Sequence, residues 1–190
     1  MNTSKSYLSK IIKLSPIKQL ALCVSLFLLI AAPSISSATA KESLAVLPFE
    51  IVDNIPAPGG DQRNQEMLSK VTQFIGEQIE QAGLFQVAQQ SQVNKAVRAA
   101  QLGTYIHTCN QCEYEIARQL DANKVMVGWI YKMSLLILTM HIEIKDVASE
   151  KTLISKAYDF RGDNEKAWLR AAKYMVRDLQ EMLGKASPSE

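Results

Sequence analysis

Apolar positions along this chain change their period several times, and each change marks a predicted element. Residues 43–52 (SLAVLPFEIV) form a short continuous run rich in Val, Leu, Ile and Phe, the pattern of a buried strand. Pro48 inside it marks an edge position or a bulge, because proline has no N–H to give a sheet. The next stretch, DNIPAPGGDQ, collects Pro, Gly, Asp and Asn and predicts a loop over residues 53–62. Over residues 63–82, Met67, Leu68, Val71, Phe74, Ile75 and Ile79 recur at helical spacing, with Gly83 placed as the C-cap. Residues 84–87 have the length of one strand crossing. Ser91 is then expected to cap a second helix with the stripe Val93, Ala96, Val97 and Ala100, ending near Gly103. A third helix should run through Ile116, Ala117 and Leu120.

After residue 123 the period shortens to two. Residues 124–133 and 135–146 read as strands joined near Ser134. In the second, Leu136, Leu138, Met140, Ile142 and Ile144 share one face, and Thr139, His141, Glu143 and Lys145 the other. Residues 152–161 read as a further strand. A last helix begins at Asp163 or Asn164 and runs to about Leu183. The predicted order is β-α-β-α-α-β-β-β-α. It implies a single α/β (α+β) domain, one mixed sheet of about five strands with helices packed on it.

The amino terminus reads as an address. Lys5, Lys10, Lys13 and Lys18 precede the apolar run LALCVSLFLLIAA, and Ala38-Thr39-Ala40 offers a small-x-small cleavage site before Lys41. The run is shorter than the roughly 20 residues that a membrane span needs. Residues 1–40 are therefore expected to be a signal peptide and residues 41–190 a periplasmic domain with no stable membrane span after cleavage. An uncleaved inner-membrane anchor is the alternative. Cys23 lacks the small residue that a lipobox places before its cysteine. The whole chain carries 21 basic and 19 acidic residues; taking off the four leader lysines leaves 17 against 19, a net charge of −2. The basic character belongs to the leader, so it gives no support to nucleic-acid binding.

Cleavage also removes Cys23, leaving the pair Cys109 and Cys112 in HTCNQC. Three chemistries compete there: a redox-active dithiol, a metal site and a structural disulfide. An even pair in an oxidising compartment favours the disulfide. The pair follows a helix and a polar loop rather than a central strand, unlike thioredoxin-type sites. Glu113 in place of His after the second cysteine excludes haem attachment. His107, Cys109 and Cys112 offer three metal ligands, with His141 as the fourth that structural zinc usually takes. His141 on a polar strand face reads more simply as a solvated residue, Trp129 as core, and Glu113 and Glu115 as charges complementing a helix dipole. The chain has no Gly-x-Ser-x-Gly, His-Glu-x-x-His, P-loop or Gly-x-Gly-x-x-Gly motif. No catalytic residue and no cofactor are expected.

Four segments carry a resemblance: LAVLPFEIVDN, CNQCEYEIARQL, VGWIYKMSLLIL and FRGDNEKAW, in this order. Together they resemble a family of small secreted bacterial proteins whose domain has no assigned function, over residues 44–183. That resemblance implies an association with periplasmic quinoprotein alcohol oxidation. The opening strand and long helix are also similar to the amino-terminal domain of TolB and to the curli-secretion lipoproteins, which implies an envelope protein that docks other proteins. The chain departs from the family pattern at Leu120-Asp121-Ala122-Asn123 (usually Leu-Gly-Ala-Asp), at Ser149-Glu150 (usually Thr-Gly) and at Ala167 (often Ser). Asn123 is the residue expected to take the left-handed helix cap in place of the lost glycine.

The last helix carries Lys166, Arg170, Lys173 and Arg177 on one face, and Trp168, Ala172, Met175, Leu179 and Met182 on the other. The basic face reads either as an ordinary solvated surface or as a docking stripe for an acidic protein or anionic headgroups. The expected function is a non-catalytic accessory module that docks a periplasmic or envelope protein. The alternative is a thiol-disulfide or metal-handling protein built on Cys109 and Cys112.

Overall fold

The computed structural model describes residues 41–53, 60–134 and 136–186. The predicted leader, most of the Pro/Gly-rich loop and the carboxyl-terminal tail lie outside them. The elements are β1 (Ser43–Val46), β2 (Glu50–Asp53), α1 (Gly60–Gln81), β3 (Gln86–Val87), α2 (Gln90–Ala99), a 3-10 turn (Ile106–Thr108), α3 (Cys112–Gln119), β4 (Lys124–Lys132), β5 (Ile137–Asp146), β6 (Thr152–Arg161) and α4 (Glu165–Ala186). They form one mixed sheet of six strands. Its order is β3-β1-β4-β5-β6, with β2 beside β4 on the same side as β1. The first three strands run parallel to their neighbours, and β4, β5 and β6 make an antiparallel meander.

The α/β class stands as expected, with one strand more, because residues 43–52 are two strands and not one. Pro48 cannot extend the ladder, and the Phe49 N–H leaves it to donate to Thr72 Oγ1 on α1 at 3.0 Å. The pairing with β4 resumes at Glu50 opposite Trp129. The detour turns the Phe49 ring inward, where it lies on Gly128 of β4.

Helices cover both sheet faces. On one, α1 and α4 pack over Leu44, Val46, Met126, Ile130, Leu138, Met140, Ile142 and Ile144, with Trp168 fully buried. On the other, α2, the 3-10 turn and α3 pack over Ala45, Leu47, Val125 and Val127. This second layer corrects the picture of one dry and one wet face. Leu136 also differs, being 69% exposed and lying ahead of β5 in the hairpin, where Ser134 Oγ accepts from the N–H groups of Leu136 and Ile137.

Local signals misplaced several helix ends. α2 starts at Gln90 without a side-chain cap, so Ser91 lies inside it. α1 starts at Gly60, within the stretch read as loop. Asn123 does not take the left-handed cap. Its Oδ1 accepts from the N–H and Oγ of Ser43 at 3.1 and 2.9 Å, fixing the start of β1. The left-handed conformation falls on Asp121 (φ 51°) and Glu150 (φ 56°), the two positions where the family resemblance places glycine. A side chain there is strained by Cβ contact with the backbone. Asp121→Gly is accordingly expected to raise stability by about 1 kcal/mol, read from urea midpoints. An unchanged or lower midpoint would refute the strain.

Candidate functional site

The basic face of α4 is open. Lys166, Arg170, Lys173 and Arg177 are all exposed, and among the described residues none takes part in a salt bridge. The opposite arc holds the helix down through Trp168, Ala172, Met175 and Leu179, each 0% exposed. Arg170, Lys173 and Arg177 border a groove of about 470 Å³, whose far wall is Gln78 and Gln81 of α1 and Ala82 just after it. Tyr174, 52% exposed, stands among them with the Arg177 guanidinium 5.0 Å from its ring centre. The stripe and the α1/α4 seam thus make one surface, cationic with an aromatic and aliphatic floor. Periodicity identified the stripe; the groove depends on α1 lying alongside, which no local pattern shows.

Cys109 and Cys112 stand at the entrance to α3 as a disulfide pair, with Cα atoms 5.9 Å apart. Gln111 between them takes a left-handed φ of 71°, which turns the chain into the helix. Of the proposed ligand set, the structure brings together only the two cysteines, and Glu113 joins them within 4.8 Å. His107 is held elsewhere. Its Nδ1 lies 2.7 Å from Glu50 Oε2, and the same carboxylate accepts from the N–H groups of Ile106 and His107 at 2.6 and 3.1 Å. The His107 ring stacks on Trp129 at 4.9 Å, and His141 stacks on the other face of that indole at 4.9 Å with a 1° tilt.

Trp129 is half-buried, packed against the second core layer as well as between the two imidazoles, and His141 is a stacked residue, not a solvated one. Burial pushes the His141 pKa below the usual histidine value, against the opposing charge of Asp159. The indole separates the two histidines and keeps them from sharing a metal. Opening the disulfide in a Cys109→Ser/Cys112→Ser variant is expected to cost about 2 kcal/mol, because so short a loop restricts the unfolded chain only modestly. Chemical denaturation of the variant and the parent measures this. No loss would mean that the pair is not bonded in the folded protein.

The buried charged side chains are matched within the fold. Glu113, read from sequence as a dipole charge, is buried, and its Oε1 accepts from Lys145 Nζ at 2.9 Å; Lys145 also meets Glu143 at 3.1 Å. Lys124 joins Glu42 at 2.6 Å and Asp146 at 2.9 Å. Lys132, fully buried, meets Asp163 at 2.8 Å and Asp53 at 3.2 Å, and Arg63 closes on the same Asp163 oxygen at 2.8 Å. The FRGDN stretch is explained here. Gly162 turns at φ 99°, Asp163 collects the two cations, and Asn164 Oδ1 accepts from the Ala167 N–H at 3.1 Å to cap α4.

Fold and surface together define a small α/β sandwich with helices on both faces of a mixed sheet, its buried lysines paired with carboxylates. The chain belongs to the DUF3280 family, described as a protein of unknown function (DUF2380), whose model matches residues 42–179. No curated protein matches it in sequence. Solved structures similar to it include the lipoprotein GNA1162 from Neisseria meningitidis, at 13% identity and TM-score 0.49, covering 76% of this chain and 99% of that one. LpoB from E. coli aligns at 15% identity and TM-score 0.48, over 63% and 57% of the two chains. TolB from Acinetobacter baumannii aligns at 13% and 0.41, over 73% and 29%.

Proposed function

We propose that this protein is an exported, non-catalytic accessory module that docks another envelope protein through the basic face of α4. The observation that carries the reading is the set Arg170, Lys173 and Arg177. They are exposed, unmatched by acidic partners among the described residues, and gathered with Tyr174 along a groove. Aromatic and arginine side chains are enriched in protein interfaces, and unpaired cations speed and orient the approach of an acidic partner. Among the described residues no helix is long and apolar enough to cross a membrane, which fits a module working beside the membrane. No structural observation bears on quinoprotein alcohol oxidation.

A photo-crosslinking amino acid at Tyr174 tests this in intact cells. Docking through α4 gives a discrete crosslinked product that the same group at Lys151, an exposed residue in the turn before β6, does not give. Equal labelling from both positions would refute it. The second reading, thiol or metal handling, draws on the grouping of Cys109, Cys112 and Glu113. Under docking, the Cys109→Ser/Cys112→Ser variant keeps the Tyr174 crosslink; under the second reading it loses function while still folded.

A further inference from the structure

The sheet is left short along one edge. β3 accompanies β1 for two residues, and β2 meets β4 on one side with no strand on its other side among the described residues. A groove of about 560 Å³ stands there, between α1 and the start of α2, with Glu50 and Ile51 on its sheet side. Two features make it more than a gap. Asn64, on the α1 wall, is 4% exposed, and its Oδ1 is buried without a hydrogen-bond partner, a state that is unfavourable unless something donates to it. The lining also holds no cation. It contains no lysine or arginine, and its one carboxylate, Glu50, is already occupied by three N–H donors from residues 106 and 107. Such a lining rejects phosphate and carboxylate ligands. Asn64 offers the groove an acceptor, and on the facing wall Gln90 Nε2 donates to Asn94 Oδ1 at 3.1 Å, which leaves the Gln90 carbonyl and the Asn94 amino group for the hydrogen-bonding that a peptide main chain offers.

We propose that the outer edge of β2 and this groove bind an extended, uncharged peptide segment of a partner protein, added to the sheet as a further strand. Strand addition supplies main-chain hydrogen bonds from the open edge and side-chain contacts from the flanking walls. At roughly 3.3 Å per residue, residues 50–52 accommodate a segment of about three residues, one donor of which meets Asn64 Oδ1. The inference rests on the docking reading for the kind of ligand, but its site is separate from α4.

The test uses the purified protein, labelled with ¹⁵N, and the capped peptide acetyl-Thr-Val-Thr-Val-Thr-Val-amide. Amide shifts are expected at residues 50–52 and 64–69, with slowed hydrogen exchange at residues 51 and 52. The same peptide N-methylated at alternate residues, which cannot form a ladder, should leave them unmoved. Ser69→Arg, at an exposed helical position beside the groove, should keep its Tm and weaken the peptide at least tenfold. Asn64→Leu should also weaken it without lowering Tm. Arg170→Glu/Lys173→Glu should bind it as the parent does, so a failure of α4 docking leaves this result standing. No shift along β2, equal binding of the N-methylated peptide, or shifts with the neutral glycan maltohexaose in place of the peptide would each overturn the proposal.

Discussion

Lys132→Met is expected to lower stability by about 3–5 kcal/mol, because it strips a buried carboxylate of one cation and leaves no water to replace it. The Lys132 side chain is 0% exposed and that of Asp163 6%. Arg63 alone would then hold Asp163. At about 2–4 °C per kcal/mol for a domain of this size, Tm should fall by about 6–20 °C. Adding Asp163→Asn should return part of the loss, since a neutral amide costs less to bury than an unmatched charge. A double variant less stable than Lys132→Met would contradict this account of the ion pair.

The same lysine predicts an alkaline limit. Burial pulls the Lys132 pKa down, but the carboxylates of Asp163 and Asp53 beside it outweigh it, and the net value lies above that of an ordinary lysine. Lys124, with Glu42 and Asp146, and Lys145, with Glu113 and Glu143, are raised in the same way. A group whose folded pKa exceeds its unfolded value contributes fully below the unfolded value, and the contribution is lost as pH rises through the folded one. Urea midpoints should hold up to the unfolded lysine value of 10.5 and decline beyond it, less steeply in Lys132→Met. A flat alkaline limb would show that the three lysines are not so coupled.

Gly128→Ala is expected to cost about 3 kcal/mol. Its Cβ would fall well inside contact distance of three Phe49 ring atoms, and Phe49, 3% exposed, is held in place by its own N–H bond to Thr72. Overpacking a closed core forces side chains off their rotamers. The proof is in the coupling: in a Phe49→Leu background the added methyl should cost much less. An equal cost in both backgrounds would place the clash elsewhere.

The sequence was informative wherever a single local period decided the element. The apolar positions of α1 and α4, and the whole of β6, lie where spacing places them. It failed where a distant partner decides. The division of residues 43–52 depends on Thr72 taking the Phe49 N–H. Glu113 looks like a first-turn charge until Lys145, 32 residues away, covers it. His107 looks like a ligand beside two cysteines until Glu50, 57 residues earlier, takes its Nδ1. Trp129 packs against the core as its position in β4 implies, but alternation along the strand does not show the two histidines that stack on it. The basic stripe was legible, being a one-helix pattern; the grooves beside α4 and β2 were not, since each is formed by elements far apart in the chain.

The most direct test of the docking reading is reversal of charge on the α4 face. Arg170→Glu/Lys173→Glu changes two exposed side chains without touching the buried arc, so the variant should melt with the parent. Partner capture from the envelope by the parent should weaken steeply as salt is raised from about 50 to 500 mM. The reversed variant is predicted to capture at least tenfold less at low salt and to show little salt dependence. Capture by the variant that equals the parent's at every salt concentration would contradict the reading.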